Sequence, residues 1–588
     1  MSKRLIALLL SLVMVFACLV GCGKEDDAIS ETVTEGSEKT ITLSMYLMAE
    51  EPVSAEQEAA IEAAVNKITM SKFKTKLDLR YFTEEDYIAA LDKAFADSAT
   101  AAEDMEAIQE ALKEQLSGAT GTVEEETYID EYGVVQLKYP TVEDYQVDIF
   151  YLKGYDKLAE YIENELVQDL SSEVSSASKI LKTYVHPGYL SGLDTVCDGL
   201  YAIPANDLIG EYTYILLNKE ILKEYNHVAS DFTSITATNA QYLLDHVKKY
   251  NPDYVPLRSF TDSGELDVSY VRYFGIGEDG KFDDSTFSLL GGSYDPSWTY
   301  MTPGEFSRCA NIFNDTSFTS QLETLVRYKE NGYYGTEADA DKKFAVGYIK
   351  GGVEVIEQYS DEYEIIVHQT PVLDTMDLFE NMFAVGAYSS SLPRSMEIIS
   401  YLYTNPDFYN TLLYGIEGEN YEFTDSEILD ENGNPYQLVK VLEGNTYVMS
   451  AEKLGNTILA YPTEDENPLK SEIYKAQNLD SSTSLIMGLM PDFEDLVLSE
   501  PHATHIREQS AIVLEQLLAI DHVDGEGGLT EYIAEVRKLL NTDTLLVEGM
   551  RQAAITIPSE VEGEDPIQLQ TIPAVYSAWV SANKLIAG

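Results

Sequence analysis

Tryptophan, cysteine, histidine and positive charge are all scarce in this chain, and each shortage excludes something. The 588 residues include 2 Trp, 4 Cys and 7 His. Lys and Arg total 39 against 101 Asp and Glu, a formal net charge of −62. Nucleic acid and other polyanions are thereby excluded as partners, because binding them needs clustered cations. Beyond the N-terminal stretch the only cysteines are Cys197 and Cys309. Two thiols in so long a body are no disulfide scaffold, and they either pair or stay free. The few histidines leave little material for a metal centre. His502 and His505 sit three apart in PHATHIRE, either as a metal pair or as two exposed side chains near a helix start. Neither EDGKFDDSTF (278–287) nor LDENGNPYQL (429–438) has the spacing of a calcium loop. No G-x-S-x-G elbow, P-loop or H-E-x-x-H occurs. With so many acids, carboxylate pairs arise everywhere by chance and single out no glycosidase centre. No catalytic residue, metal or cofactor is therefore expected.

Long apolar runs are missing too, with one exception at the start. Lys3 and Arg4 precede an almost wholly apolar Leu5–Val20. That run suits a signal peptide and is short for a span of roughly 20 residues. It ends in Leu19, Val20, Gly21, Cys22, which resembles the lipobox of bacterial lipoproteins. The resemblance implies cleavage before Cys22 and a diacylglycerol on its thiol, two acyl chains being what stable anchoring requires. Cys18 fits the box less well, with Phe16 two residues before it. The plain alternative is a secretory signal with an incidental cysteine. Residues 23–40 are acidic and lack periodic apolar positions, as a flexible tether does.

What the chain does have is tyrosine, 41 residues of it, and an ordinary 45% of hydrophobic residues. A tyrosine ring offers an apolar face and a polar tip. The length calls for more than one core. Strands are expected at 41–47, 76–82 and 147–152, and helices at Glu56–Ile68 (Ile61, Val65 and Ile68 inward), Tyr87–Ala96 and 156–166 (Leu158, Ile162 and Leu166 or Tyr161 inward). An acidic, partly helical insert fills 100–135. This alternation is that of a mainly parallel sheet covered on both faces. Further helices are expected at 239–250, 315–335 (closed by Gly332), 391–404 (Pro393 in the first turn), 405–415 (Asn405 cap, Gly415 stop) and across 505–555, with strands at 364–372 and 383–388 and a hairpin turn at 429–438.

Several stretches, in order, resemble family 1 extracellular solute-binding proteins, the lipid-anchored receptors of ABC importers. They are VDIFYLKGYDKLAEYIENELVQDL, then GLYAIPAN with YTYILLNKEIL, then SSSLPRSMEIISYLYTNPDFYNTLLYGIEGENYEF. The last resembles the LplA/LipO-type subgroup, and GN (455–456), KAQN (475–478) and MGLMPDFEDL (487–496) continue the likeness. The acidic insert and the shortage of tryptophan depart from it. The resemblance implies an α/β, two-lobed, type II periplasmic-binding-protein-like fold, with mixed sheets flanked by helices and hinge strands between the lobes. Residues 1–21 would be the signal peptide and 22–40 the lipidated Cys22 and tether. Lobe 1 would comprise mainly 41–210 plus a return segment near 380–430. Lobe 2 would comprise mainly 215–375 plus parts of the C-terminal region. A monomer is implied on the outer face of a cell membrane, in a Gram-positive host, delivering an oligosaccharide to the transmembrane subunits of an ABC permease. A peptide or other solute receptor, a secreted glycan-acting enzyme and a surface adhesin stand as alternatives. Ligand contacts are sought among polar and aromatic residues just after strands: Tyr46, Glu50, Glu51, Tyr151, Tyr155, Tyr201, Trp298, Asn381 and Tyr388.

Overall fold

A computed structural model describes residues 40–117, 146–175, 180–232, 238–258, 316–339, 341–389, 391–429, 432–483 and 500–547, with short pieces between 127 and 137, 275 and 314, and 555 and 569. Within 101–117 and 500–503 only the helical backbone is described.

The chain opens with β1 (Ile41–Ala49), α1 (Ala55–Phe73), β2 (Thr75–Thr83) and α2 (Glu84–Ser117). β3 (Ile149–Leu152), α3 (Tyr155–Glu163), α4 (Pro187–Cys197) and β4 (Ala202–Pro204) follow. It then builds β5 (Tyr212–Asn218), α5 (Thr238–Tyr250), β6 (Tyr254–Arg258), α6 (Thr316–Glu330), β7 (Lys343–Gly351) and β8 (Tyr363–Gln369). It returns through β9 (Met382–Val385), α7 (Leu392–Thr404), α8 (Pro406–Tyr414), a hairpin of β10 (Tyr421–Leu429) and β11 (Pro435–Val441), and α9 (Lys470–Asp480). α10 (Glu500–Ala519) and α11 (Leu529–Thr542) come last.

Local chemistry accounts for most of these elements. β1 is buried from Leu43 to Ala49, as a central strand covered on both faces must be. Its polar member, Ser44, is paid for by the Asp148 carboxylate, which accepts from its backbone N–H at 2.9 Å. α1 starts on a capping box of Ser54 and Gln57 and buries Ile61, Val65, Thr69 and Phe73, one per turn, with Ile68 partly buried beside them. α8 is punctuated as its sequence suggests: Asn405 accepts from the Phe408 N–H at 2.8 Å, Pro406 opens the first turn, and Gly415 turns away at φ 86°.

The helix expected at 315–335 stops at Glu330 and the strand expected at 364–372 stops at Gln369. Four further boundaries differ from expectation, each for a visible reason. α2 runs on through Ser117, into the acidic insert, whose 127–129 and 135–137 pair as antiparallel strands. α3 stops at Glu163 rather than 166, because Glu165 adopts a left-handed φ of 54°; Tyr161 takes the core position and Ile162 stays at its margin. The strand expected to reach 388 ends at Val385, where Gly386 lies against the carbonyl of Val147 with no room for a Cβ. The helical tail is two helices, broken by a turn rich in Asp and Gly at 521–528.

Among the described residues the first large sheet has the order β2-β1-β3-β9-β4. β1 runs parallel to β2 and β3, and β9 is antiparallel to β3 and β4. The second has the order β8-β5-β7-β6, with β5 antiparallel to both neighbours and β7 parallel to β6. The fold is α/β, with mixed sheets flanked by helices. One core gathers on the first sheet, from Leu43, Phe150, Tyr161 and Ala384 to Ile399 and Leu412. Another gathers on the second, from Leu217, Leu244 and Val346 to Leu322, Val513 and Val536. The chain passes from first sheet to second at 205–211 and back at 370–381, and leaves again after α9. No described helix is long and apolar enough to cross a membrane.

Candidate functional site at the carboxyl edge of the first sheet

The register of β9 defines one edge of the first sheet. Met382 lies opposite both Leu152 and Pro204, so Asn381 sits just beyond the carboxyl ends of β3 and β4. Both crossings to the second sheet start or end at this edge. In open α/β sheets the crevice beyond the carboxyl ends of strands is where ligands bind.

The side chains gathered there form a connected polar set. The Tyr151 hydroxyl donates to Asn381 Oδ1 at 2.7 Å, and Asn381 Nδ2 donates to Asp207 Oδ2 at 3.2 Å. The Tyr87 hydroxyl donates to the Tyr151 carbonyl at 2.7 Å and holds the end of β3 in place. Asp207 shows part of its surface, but its carboxyl group is enclosed, and Oδ1 has no hydrogen-bond partner among the described residues. Burial pushes this carboxyl up to about 7, against the hydrogen bond from Asn381; Glu452 and Glu380 push the same way as burial. Burial also raises the Tyr151 phenol, helped by the negative field of Asp207, Glu84, Glu452 and Glu50. A rim of carboxylates therefore surrounds the edge. Lys453 stands among them with its Nζ 2.8 Å from Glu50 Oε1.

The residues singled out in the sequence divide accordingly. Glu50 and Glu51 follow β1, exposed, at this edge, and Tyr155 follows β3, half-buried, with its ring edge-on to Phe379 at 5.1 Å. Tyr151 and Asn381 lie just behind them, buried. Tyr46 is elsewhere: it points from mid-β1, buried, stacks on Phe82 and accepts from Arg80 Nη1 at 2.9 Å. Tyr201 precedes β4 and Tyr388 follows the antiparallel β9, so both stand at the opposite edge. Trp298, Cys22 and Cys309 lie outside the described residues. Cys197 is half-buried in α4, and burial pushes its thiol up to about 12.

Sequence reading missed Asp207, Glu452 and Lys453. Asp207 directly follows the GLYAIPAN stretch and could have been found by asking what ends that strand; the other two lie in a short 3-10 helix, Glu452–Leu454, that only folding brings near. His505, weighed as a metal ligand, has its Nε2 3.0 Å from Asp543 Oδ2, and the side chain of His502 is outside the described set. Among the described residues no group of three or more His, Cys, Asp and Glu could hold a metal ion.

No family model matches the chain. A relative does. The chain is similar to a carbohydrate ABC transporter substrate-binding protein of Streptococcus pneumoniae serotype 4. The two are 22% identical over 363 residues, which is 56% of this chain and 68% of the relative. Among solved structures, the N-glycan transport solute-binding protein NgtS from Streptococcus pneumoniae aligns with a TM-score of 0.48 and 18% identity, over 86% of this chain and 97% of that one. An extracellular solute-binding protein from Bifidobacterium longum subsp. infantis aligns with a TM-score of 0.43 and 11% identity, over 94% of this chain and all of the other.

Proposed function

We propose that this chain is the substrate-binding protein of an ABC importer, held to the outer face of the cell membrane by a lipid on Cys22. It captures an oligosaccharide between two lobes, each built on one of the large sheets, and hands it to a membrane permease. One observation carries the reading: acidic, amide and aromatic side chains collect at the carboxyl edge of the first sheet, where the chain crosses to the second. Carboxylates and amides pair with sugar hydroxyls, and an exposed ring face stacks on the apolar face of a sugar. The name of the serotype 4 relative supports the same solute class. In this reading Glu50, Glu51 and Tyr155 touch the ligand, Tyr151 and Asn381 position Asp207, and the tether keeps the receptor near its permease at high effective concentration. Closure follows the ligand's differential affinity for the closed form.

The test is thermal melting of the full-length chain in detergent against oligosaccharides, peptides and simple sugars. A ligand present at 100 times its Kd stabilises by about 2.7 kcal/mol, a shift of roughly 2–4 °C for domains of this size. A shift with one glycan series and no new product on chromatography supports the reading. Cleaved glycan would replace it with an enzyme, and a shift with peptides alone would discard the sugar. Tyr155→Ala is expected to weaken glycan binding about tenfold, read by calorimetry, for one lost stacking contact. Cys22→Ala is expected to move the protein from the membrane fraction to the medium.

A further inference from the structure

Buried amides of the KAQN and GN stretches, which carried part of the sequence resemblance, donate to backbone carbonyls. They grip the first crossing. Gln477 and Asn478, both buried in α9, face its backbone. Gln477 Nε2 donates to the carbonyls of Ile209 at 3.1 Å and Gly210 at 2.7 Å. Asn478 Nδ2 donates to the carbonyl of Asp207 at 2.7 Å, and its Oδ1 accepts from the Ile209 N–H at 2.9 Å. One residue further back, the Asn206 N–H donates to the Gly455 carbonyl at 2.6 Å, and Asn206 Nδ2 donates to Asn456 Oδ1 at 3.1 Å. Asn456 is tied to the first core through the carbonyl of Tyr403 at 2.7 Å. Gly455 must be glycine there, since it sits at φ 90° and a Cβ would stand 2.6 Å from the Tyr403 ring.

The return crossing is held from the same helix end. The Ser482 N–H, just past α9, donates to the Pro371 carbonyl at 2.8 Å, and Val372–Leu373 runs parallel to Ser482–Thr483. Segments 206–210 and 371–373 are therefore locked to α9 and the first core. The ladders of the second sheet begin at Tyr212 and end at Gln369. A single residue separates locked segment from ladder on each of these two crossings: Glu211 on the first, Thr370 on the return. Across the first of these gaps the Asp480 carboxylate of α9 adds to burial in raising the Tyr212 phenol.

We infer that the first two crossings bend at one-residue pivots, Glu211 and Thr370, as the lobes rotate, and that Gln477 and Asn478 are positioning residues that confine the bending of the first crossing to Glu211. Hinges are commonly a few residues that absorb the backbone change, and here the clamp decides which. Confinement matters for binding because a crossing free along five residues would let the unliganded lobes sample more orientations, and closing them would cost more entropy. This rests on the receptor reading above for its consequence, though not for its geometry.

The test uses the full chain in detergent, its native cysteines replaced by serine, with spin labels at Lys93→Cys and Glu323→Cys, one exposed site on each core. Gln477→Met and Asn478→Leu keep side-chain volume and remove the hydrogen bonds to the crossing. Each is expected to speed amide exchange at Ile209 by about tenfold, for the loss of one or two buried hydrogen bonds. Each is also expected to broaden the interlobe distance distribution and to weaken oligosaccharide binding several-fold. Glu211→Gly, at an exposed site, is expected to broaden the distribution while Ile209 stays protected. The inference is overturned if exchange rises while distances and affinity stay put, since the contacts are then merely structural, or if Glu211→Gly leaves the distribution unchanged. If the unsubstituted chain binds no oligosaccharide, the receptor reading fails by itself, and the exchange and distance measurements still decide the pivot.

Discussion

Asp207 is the residue whose chemistry is least ordinary. Its folded carboxyl keeps its proton up to about pH 7, whereas an unfolded one releases it near 3.8. Between those values the folded state binds more protons, so the group's contribution to stability falls as pH rises from about 4 to about 7 and is lost above that. The full swing is on the order of 2–4 kcal/mol. Urea midpoints of the parent chain and Asp207→Asn between pH 4.5 and 8 isolate this term: the parent should lose stability relative to the variant as pH rises. A constant gap would mean that the carboxyl titrates normally. Tyr151→Phe tests the neighbouring link. It leaves Asn381 Oδ1 buried without its donor and is expected to cost about 1–3 kcal/mol.

At the scale of elements, caps and turns follow from short-range chemistry and respond to it. Asn405→Ala removes the bond to the Phe408 N–H at the start of α8 and is expected to cost about 1 kcal/mol in urea denaturation. Asn405→Asp should lose far less, since it still accepts. The same locality explains why α1, α7 and α8 could be read from sequence: all three carry an apolar period, proline opens α7 and α8, and a side-chain cap starts α1 and α8. It also explains the failures. The end of β9 depends on Val147, which is remote in sequence, and the length of α2 depends on an acidic stretch without strong stop signals.

For the whole molecule, charge dominates. A net −62 spread over one chain repels itself, and added salt screens exposed charges over a Debye length of about 10 Å at 0.1 M. The melting temperature is therefore expected to rise between 10 mM and 200 mM sodium chloride, with a smaller rise at pH 4.5, where part of the charge is neutralised. A salt-independent melting temperature would show that the carboxylates are spaced widely enough not to matter.

The sequence by itself determined four of the five strands of the first sheet, β8 alone of the second, the acidic and tyrosine-rich composition, and an ordered set of family resemblances. That Glu50, Glu51 and Tyr155 stand at this edge was legible because they come within three residues of the ends of apolar strands, a purely local signal. The tertiary structure alone decided that Tyr201 and Tyr388 stand at the far edge, since strand direction within a sheet is set by pairing and has no local signature. It alone joined Asp207 to Asn381, and brought Gln477 and Asn478 onto a crossing some 270 residues earlier. Such contacts come from closing long loops, and a buried amide that satisfies a distant backbone looks, in sequence, like any other Gln or Asn.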